Sequence, residues 1–307
     1  MDNQRKRLIG KIVLALAIAV LGVIAVLTSN AEEPGGTLKK IKDADLLVIG
    51  YRESSVPWSY LDANQKVVGY SHEVALKIYE AIKADLKVPN LKLREIPITA
   101  QNRISLMQNG TIDLECNGTT NTSERRKQVA FSNTIAYTQT QLLTKKKSGI
   151  REFEDIAGKT IAVTAGTTSE RYLRKYAEDK KVNVNVVATR DHSQGFLMLQ
   201  TDRADAFFMD RDVLGSLLSR AQDKGDYVIT GKPQTREALA CMLRKDDPQF
   251  KALVDGVIAK MQLSGEAAKM YDQWFMAPIP PDGVVLNAPI TEAMKDLYAH
   301  PNDQSFD

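Results

Sequence analysis

Apolar positions recur in two rhythms that alternate along the chain. Residues 46–50 form a short apolar run, and 72–86 carry Val74, Ile78, Ile82 and Leu86 at helical spacing. The unit then repeats. Residues 91–96 alternate apolar and polar, 102–108 suit a helix closed by Asn109-Gly110, and 114–116 read as the next strand. Beyond the polar break Lys145-Lys146-Lys147-Ser148-Gly149, strands at 160–164, 184–188 and 206–209 alternate with helices at 169–180, 193–201 and 211–224. Such alternation predicts an α/β fold with largely parallel sheets, and two blocks of it predict two lobes. Extended stretches at 136–144 and 235–243 leave the first block and close the second, so the chain crosses between lobes twice and the crossings form a hinge. Amphipathic segments follow at 249–263 and 266–275. Pro278-Ile279-Pro280-Pro281 then stops helix, and one more short helix is expected at 291–298.

The N-terminus departs from this pattern. Arg5, Lys6, Arg7 and Lys11 precede an unbroken apolar run at 12–27, and Ser29-Asn30-Ala31 supplies the small residues that a signal peptidase reads. Residues 1–31 are therefore expected to be an export signal; the run also approaches bilayer-spanning length, which leaves an uncleaved anchor as the alternative. Export points to the periplasm. Once the four basic residues and one acidic residue of 1–31 are set aside, Lys and Arg balance Asp and Glu in the rest of the chain. A neutral protein with no basic excess is not built to neutralise nucleic-acid phosphates, nor to hold a membrane surface electrostatically. Its hydrophobic fraction, 43%, is that of an ordinary folded protein.

Only two cysteines are present, Cys116 and Cys241. An even pair in an oxidising compartment suggests one disulfide, with two buried free thiols as the other reading. His72, His192 and His300 are scattered without ligand-spaced partners, so neither a metal nor a cofactor is expected.

Candidate chemistry gathers where strands end. In 114–125 a short apolar strand runs into Gly118-Thr119-Thr120 and then a charged helix start with Arg125. Free backbone N–H groups, hydroxyls and a guanidinium one turn on make an anion site, although helix capping alone also uses such turns. Ligands in open α/β sheets gather outside the carboxyl ends of the strands. Arg52 follows the first strand, Arg103 the second and Gly118, Thr120 and Arg125 the third; the second block adds Thr168, His192 and Asp210. Three arginines and one aspartate on a cleft suit a small molecule with two carboxylates and one ammonium, which describes an acidic amino acid. His192 is a donor for the distal carboxylate or a helix-start residue facing water. Asp210 is a partner for the ammonium or an N-cap.

Several linked motifs carry a resemblance. They are Tyr51-Arg52-Glu53-Ser54-Ser55-Val56-Pro57, Thr99-Ala100-Gln101-Asn102-Arg103, the stretch from Glu115 to Arg125, Ala165-Gly166-Thr167-Thr168-Ser169-Glu170, Lys232-Pro233-Gln234, and Glu237-Ala238-Leu239-Ala240-Cys241-Met242-Leu243-Arg244-Lys245-Asp246-Asp247-Pro248. Together, from about residue 38 to 302, the chain resembles the glutamate/aspartate periplasmic binding proteins of amino-acid ABC importers. The resemblance implies the two-lobed type II periplasmic binding protein fold, with two mixed or parallel sheets flanked by helices and joined by two hinge strands. Lobe one would comprise 38–139 and 239–307, and lobe two 140–238. It further implies a Cys116–Cys241 disulfide, a monomer that closes around one amino acid, and an ABC transporter permease as partner. Position by position, it places Arg125, Thr120 and Thr168 on the ligand α-carboxylate and Asp210 on the ammonium. Arg52, Arg103 and His192 then hold the side-chain carboxylate.

Two positions depart from the pattern. Relatives usually have Ser in place of Ala100 and often Ser in place of Gly118, so the choice between glutamate and aspartate stays open. The same fold also resembles cyclohexadienyl dehydratases, which need a positioned carboxylic acid. Asp210 or Glu115 are the available candidates, but no Ser-His-Asp or Cys-His constellation accompanies them, and an enzyme is not expected. A membrane-tethered amino-acid sensor is the third reading and would need a signalling partner.

Overall fold

The computed structural model describes residues 34–307, and the expected leader at 1–31 lies outside the described residues. Among the described residues no helix is long and apolar enough to cross a membrane.

Helix α1 (Gly36–Ala44) feeds strand β1 (Leu46–Tyr51), whose central residues are buried. Three very short strands follow, β2 (Ser54–Ser55), β3 (Ser59–Leu61) and β4 (Val67–Val68), paired antiparallel in a sheet of their own. Strands of two or three residues are too short to show a period, so the hydrophobic pattern does not predict them. Gly69 closes this hairpin at φ +130°, where a Cβ would lie 2.3 Å from the Trp58 carbonyl oxygen; only glycine fits. Helix α2 (Tyr70–Leu86) then buries Val74, Ile78, Ile82 and Leu86, the stripe its spacing predicts.

Strand β5 (Lys92–Pro97), helix α3 (Arg103–Gln108) and strand β6 (Leu114–Glu115) complete the first block, with β1 flanked in parallel by β5 and β6. A single-turn helix, α4 (Ser123–Arg126), precedes β7 (Ala130–Lys145). At 16 residues β7 is longer than the expected 136–144, and it belongs to both halves of the molecule. The second block runs β8 (Thr160–Thr164), α5 (Thr168–Lys180), β9 (Asn185–Thr189), α6 (His192–Gln200), β10 (Ala206–Asp210), α7 (Arg211–Arg220) and β11 (Tyr227–Thr230). Strand β12 (Arg236–Leu243) returns, and helices α8 (Pro248–Leu263), α9 (Glu266–Phe275) and α10 (Glu292–Ala299) finish the chain.

The strand order is β5-β1-β6-β12-β7-β10-β8-β9, with β11 on β7. The outer pairs on each side are parallel, whereas β6-β12, β12-β7 and β7-β10 are antiparallel. The two expected sheets are therefore fused through one strand. From Ala130 to Gln139 β7 pairs with β12, and from Thr140 it pairs with β10. Cys116 and Cys241 form a disulfide with Cα atoms 4.2 Å apart, which pins the end of β6 to β12. Tyr70 packs edge to face against Trp58 and Phe275, Trp58 and Phe275 are tilted at 60°, and Trp58 of this aromatic block lies against Gly118.

Candidate functional site

The residues singled out by the strand-end argument meet. Arg52 follows β1, Arg103 opens α3 after β5, and Gly118 and Thr120 stand in the turn after β6. From the other side come Thr168 at the start of α5, His192 at the start of α6 and Asp210 at the end of β10. All seven line one cavity, with Ser55, Thr167 and Met209 added. The cavity is small, about 10 Å³, so its walls stand close together.

Arg125 is not in that wall. Its guanidinium spans the two halves, with Nη1 donating to the Thr120 carbonyl at 2.9 Å and Nη2 to the Gly166 carbonyl at 3.2 Å. The Thr-rich turn does cap a helix, but the cap is Thr122, whose hydroxyl accepts from the Arg125 N–H at 3.2 Å. Thr119 and Thr120 are thereby released for other bonds. In the second block Thr167 caps α5, and the Glu170 carboxylate accepts from the Gly166 N–H at 2.8 Å. Thr168 is left facing the cavity.

Both bland readings of the second-block residues fail. His192 is 2% exposed and does not face water; Asp191 is the cap of α6. Its Nδ1 lies 2.8 Å from the Thr164 hydroxyl. Burial, followed by the charges of Arg52 and Arg103, pushes the imidazole well below its ordinary range, so the ring is neutral. The Thr164 hydroxyl and Nδ1 share this hydrogen bond, and the tautomer of the ring sets which of them donates. Asp210 stands in the N-cap position of α7 but makes no capping bond, and its buried Oδ1 has no partner. Burial and then Glu237 and Asp212 raise its carboxyl well above the usual range.

The cations are held under similar stress. Burial, then Arg103, lowers Arg52 to about 10; burial, then Arg103, lowers Arg125 to about 9, against the favourable charge of Glu237. Arg103 is lowered by burial and offset by Glu115, Asp210 and Glu237. All three remain charged at neutral pH. Arg52 Nη2 and Arg103 Nε are buried donors without a partner. Three residues that line the same cavity thus carry two unpaired guanidinium donors and one unpaired carboxylate oxygen, a pattern that a ligand carrying both carboxylate and ammonium completes.

Two buried acids complete the site, and neither was assigned a binding role by its position in the sequence. Glu115 Oε1 accepts from Asn117 at 2.7 Å and from the Thr119 hydroxyl at 2.7 Å, while Thr119 in turn accepts from Arg103. Glu237, on β12, accepts from Thr120 and Thr168. Glu115 carries a sequence signal, a carboxylate between Leu114 and Cys116 in a short apolar strand; Glu237, preceded by Thr235 and Arg236 at the edge of its apolar run, carries none. Of the two departures noted above, Gly118 lines the cavity, whereas Ala100 does not; its backbone instead abuts Gly166.

Fold and site together define a two-lobed solute-binding protein, with a charged cavity between lobes joined by crossing strands. Comparison with known sequences is specific: the profile of the bacterial extracellular solute-binding proteins, family 3, matches residues 47–277. The chain belongs to that family. It is 47% identical over 291 residues to the glutamate/aspartate import solute-binding protein of Escherichia coli K12, covering 95% of this chain and 96% of that one. It is 45% identical to the L-glutamate/L-aspartate-binding protein of Pseudomonas aeruginosa, covering 94% and 96%. Among solved structures, an arginine-binding protein variant from T. maritima superposes with a TM-score of 0.70 at 25% identity, over 78% of this chain and 99% of that one. The ancestral amino acid-binding protein AncCDT-1, a precursor of cyclohexadienyl dehydratase, superposes at 0.67 with 26% identity, over 78% and 99%.

Proposed function

We propose that this chain binds an acidic amino acid, glutamate or aspartate, in the periplasm and delivers it to an ABC importer permease, acting as a monomer that closes like a clamshell. The observation that carries the reading is the matched set of unpaired groups on residues that line the cavity, Arg52 Nη2 and Arg103 Nε against Asp210 Oδ1. Arg125, with Thr120 and Thr168, is assigned to the α-carboxylate and Asp210 to the ammonium. Arg52, Arg103 and neutral His192 are assigned to the side-chain carboxylate. The names of the bacterial relatives support the same ligand class. The partner switch of β7 between Gln139 and Thr140 supports 38–139 with 239–307 and 140–238 as the two moving bodies. A ligand held first by lobe one gains the second-lobe groups only on closure, so its differential contacts drive the closed state.

The dehydratase alternative finds less support. Glu115 is engaged with Asn117 and Thr119 and does not line the cavity, and Asp210 is better matched to an ammonium. Calorimetric titration of the ligand-stripped protein with glutamate, aspartate, glutamine, asparagine and arogenate tests the reading. The acids should bind tightly and the amides weakly, because an amide leaves the guanidinium pair undercompensated. Arg125→Ala should abolish binding of every α-amino acid, whereas Arg103→Ala should selectively lose the acidic ones. Equal loss of neutral and acidic ligands in both variants would overturn the assignment, and turnover of arogenate would restore the enzyme.

A further inference from the structure

Glu237 occupies an unusual place. It lies on crossing strand β12, opposite Thr138 of β7, with its side chain buried. Oε1 accepts from the Thr235 hydroxyl at 3.0 Å. Oε2 accepts from two hydroxyls at once, that of Thr120 in the turn after β6 and that of Thr168 at 2.9 Å on α5, and these hydroxyls lie 3.5 Å apart. One carboxylate oxygen on a hinge strand therefore bridges the two halves of the molecule.

A threonine hydroxyl has a single proton. When Thr120 and Thr168 both donate to Glu237, they offer only lone pairs to anything entering the cavity. A carboxylate arriving there meets two acceptors and a nearby anion, and must rely on Arg125 and backbone N–H groups until Glu237 releases its donors. We propose that Glu237 is a lobe-bridging latch: its carboxylate shifts the ligand-free population toward the closed arrangement through Thr120 and Thr168, and competes with the ligand α-carboxylate for those hydroxyls. The second half of this statement rests on the α-carboxylate assignment above; the first does not.

Two readouts separate them. Distances between spin labels on Lys87→Cys and Lys181→Cys, exposed positions on opposite halves, are measured in the ligand-stripped full chain. Glu237→Met and Thr168→Val should each shift the distribution toward longer distances, and the double variant should shift it no further than either alone, because both remove the same bridge. Glutamate should bind Glu237→Gln about tenfold more tightly, since a charge-assisted competitor is gone. Unchanged distances in Thr168→Val, or additive shifts in the double variant, would overturn the latch. Weaker glutamate binding by Glu237→Gln would overturn the competition. If the parent protein binds neither acid, the acidic-amino-acid reading fails while the ligand-free distances still decide the latch.

Discussion

At the scale of single residues, Asp210 shows how binding and stability oppose each other. Its carboxyl is raised by burial and by Glu237 and Asp212. Between the ordinary carboxylate value of about 4 and that raised value, the folded chain keeps a proton the unfolded chain has lost, so stability falls as pH rises. Asp210→Asn removes this cost. The ligand-free variant should melt higher than the parent at pH 7, yet bind glutamate roughly a hundredfold more weakly, as expected when one partner of a buried charge pair is lost. Melting curves and calorimetry check the two halves of the prediction. Asp210 was legible because it sits at a strand end. Glu237 was not, because in an extended run nothing local says which face a carboxylate takes; the pairing of β12 with β7 turned it inward.

At the scale of elements, the turn entering α5 sets how far the lobes can approach. Gly166 has φ +78°, and a Cβ there would lie 2.8 Å from the Ala100 backbone on the opposite half. Gly166→Ala therefore meets a clash that exists only when the halves are together, besides a conformational cost of about 1 kcal/mol at positive φ. Glutamate affinity should drop by at least about tenfold, because closure contacts supply much of the differential binding. In the ligand-free chain the clash is relieved by parting the lobes at the expense of the Glu237 bridge, so the melting temperature should move by only about 2–4 °C. Equal damage to both would point to general misfolding. The helices carrying Thr168 and His192 were readable from their periodicity and caps, whereas the β2-β3-β4 sheet was too short to leave a pattern.

At the scale of the whole molecule, two buried imidazoles couple folding to acidity. His72 Nε2 lies 3.2 Å from Glu95, but burial and Lys66 lower the ring to about 4, so the contact is not an ion pair at neutral pH. His192 is lowered as well, by burial and by Arg52 and Arg103. The unfolded chain takes up protons below about pH 6.5 that the folded chain refuses, so these groups contribute stability above that value and lose it on acidification. Asp210 acts in the opposite sense over the same range, so the histidine contribution is read by difference: between pH 7 and 5 His72→Gln should lose less melting temperature than the parent. A slope unchanged by that substitution would count against the neutral ring.

The sequence by itself determined the α/β alternation, the two blocks, the strand ends that carry Arg52, Arg103, Thr120, Thr168, His192 and Asp210, and the family resemblance. These are properties of local periodicity and of residues at fixed offsets from a strand, and they survive without knowing how strands pair. Only the tertiary structure decided that β7 fuses the two sheets, that Asp210 does not cap its helix, that Arg125 reaches from the Thr120 carbonyl to that of Gly166, and that Glu237 joins Thr120 to Thr168. Each of those depends on which segments distant in sequence become neighbours, and that is set by packing across the hinge rather than by any pattern along the chain.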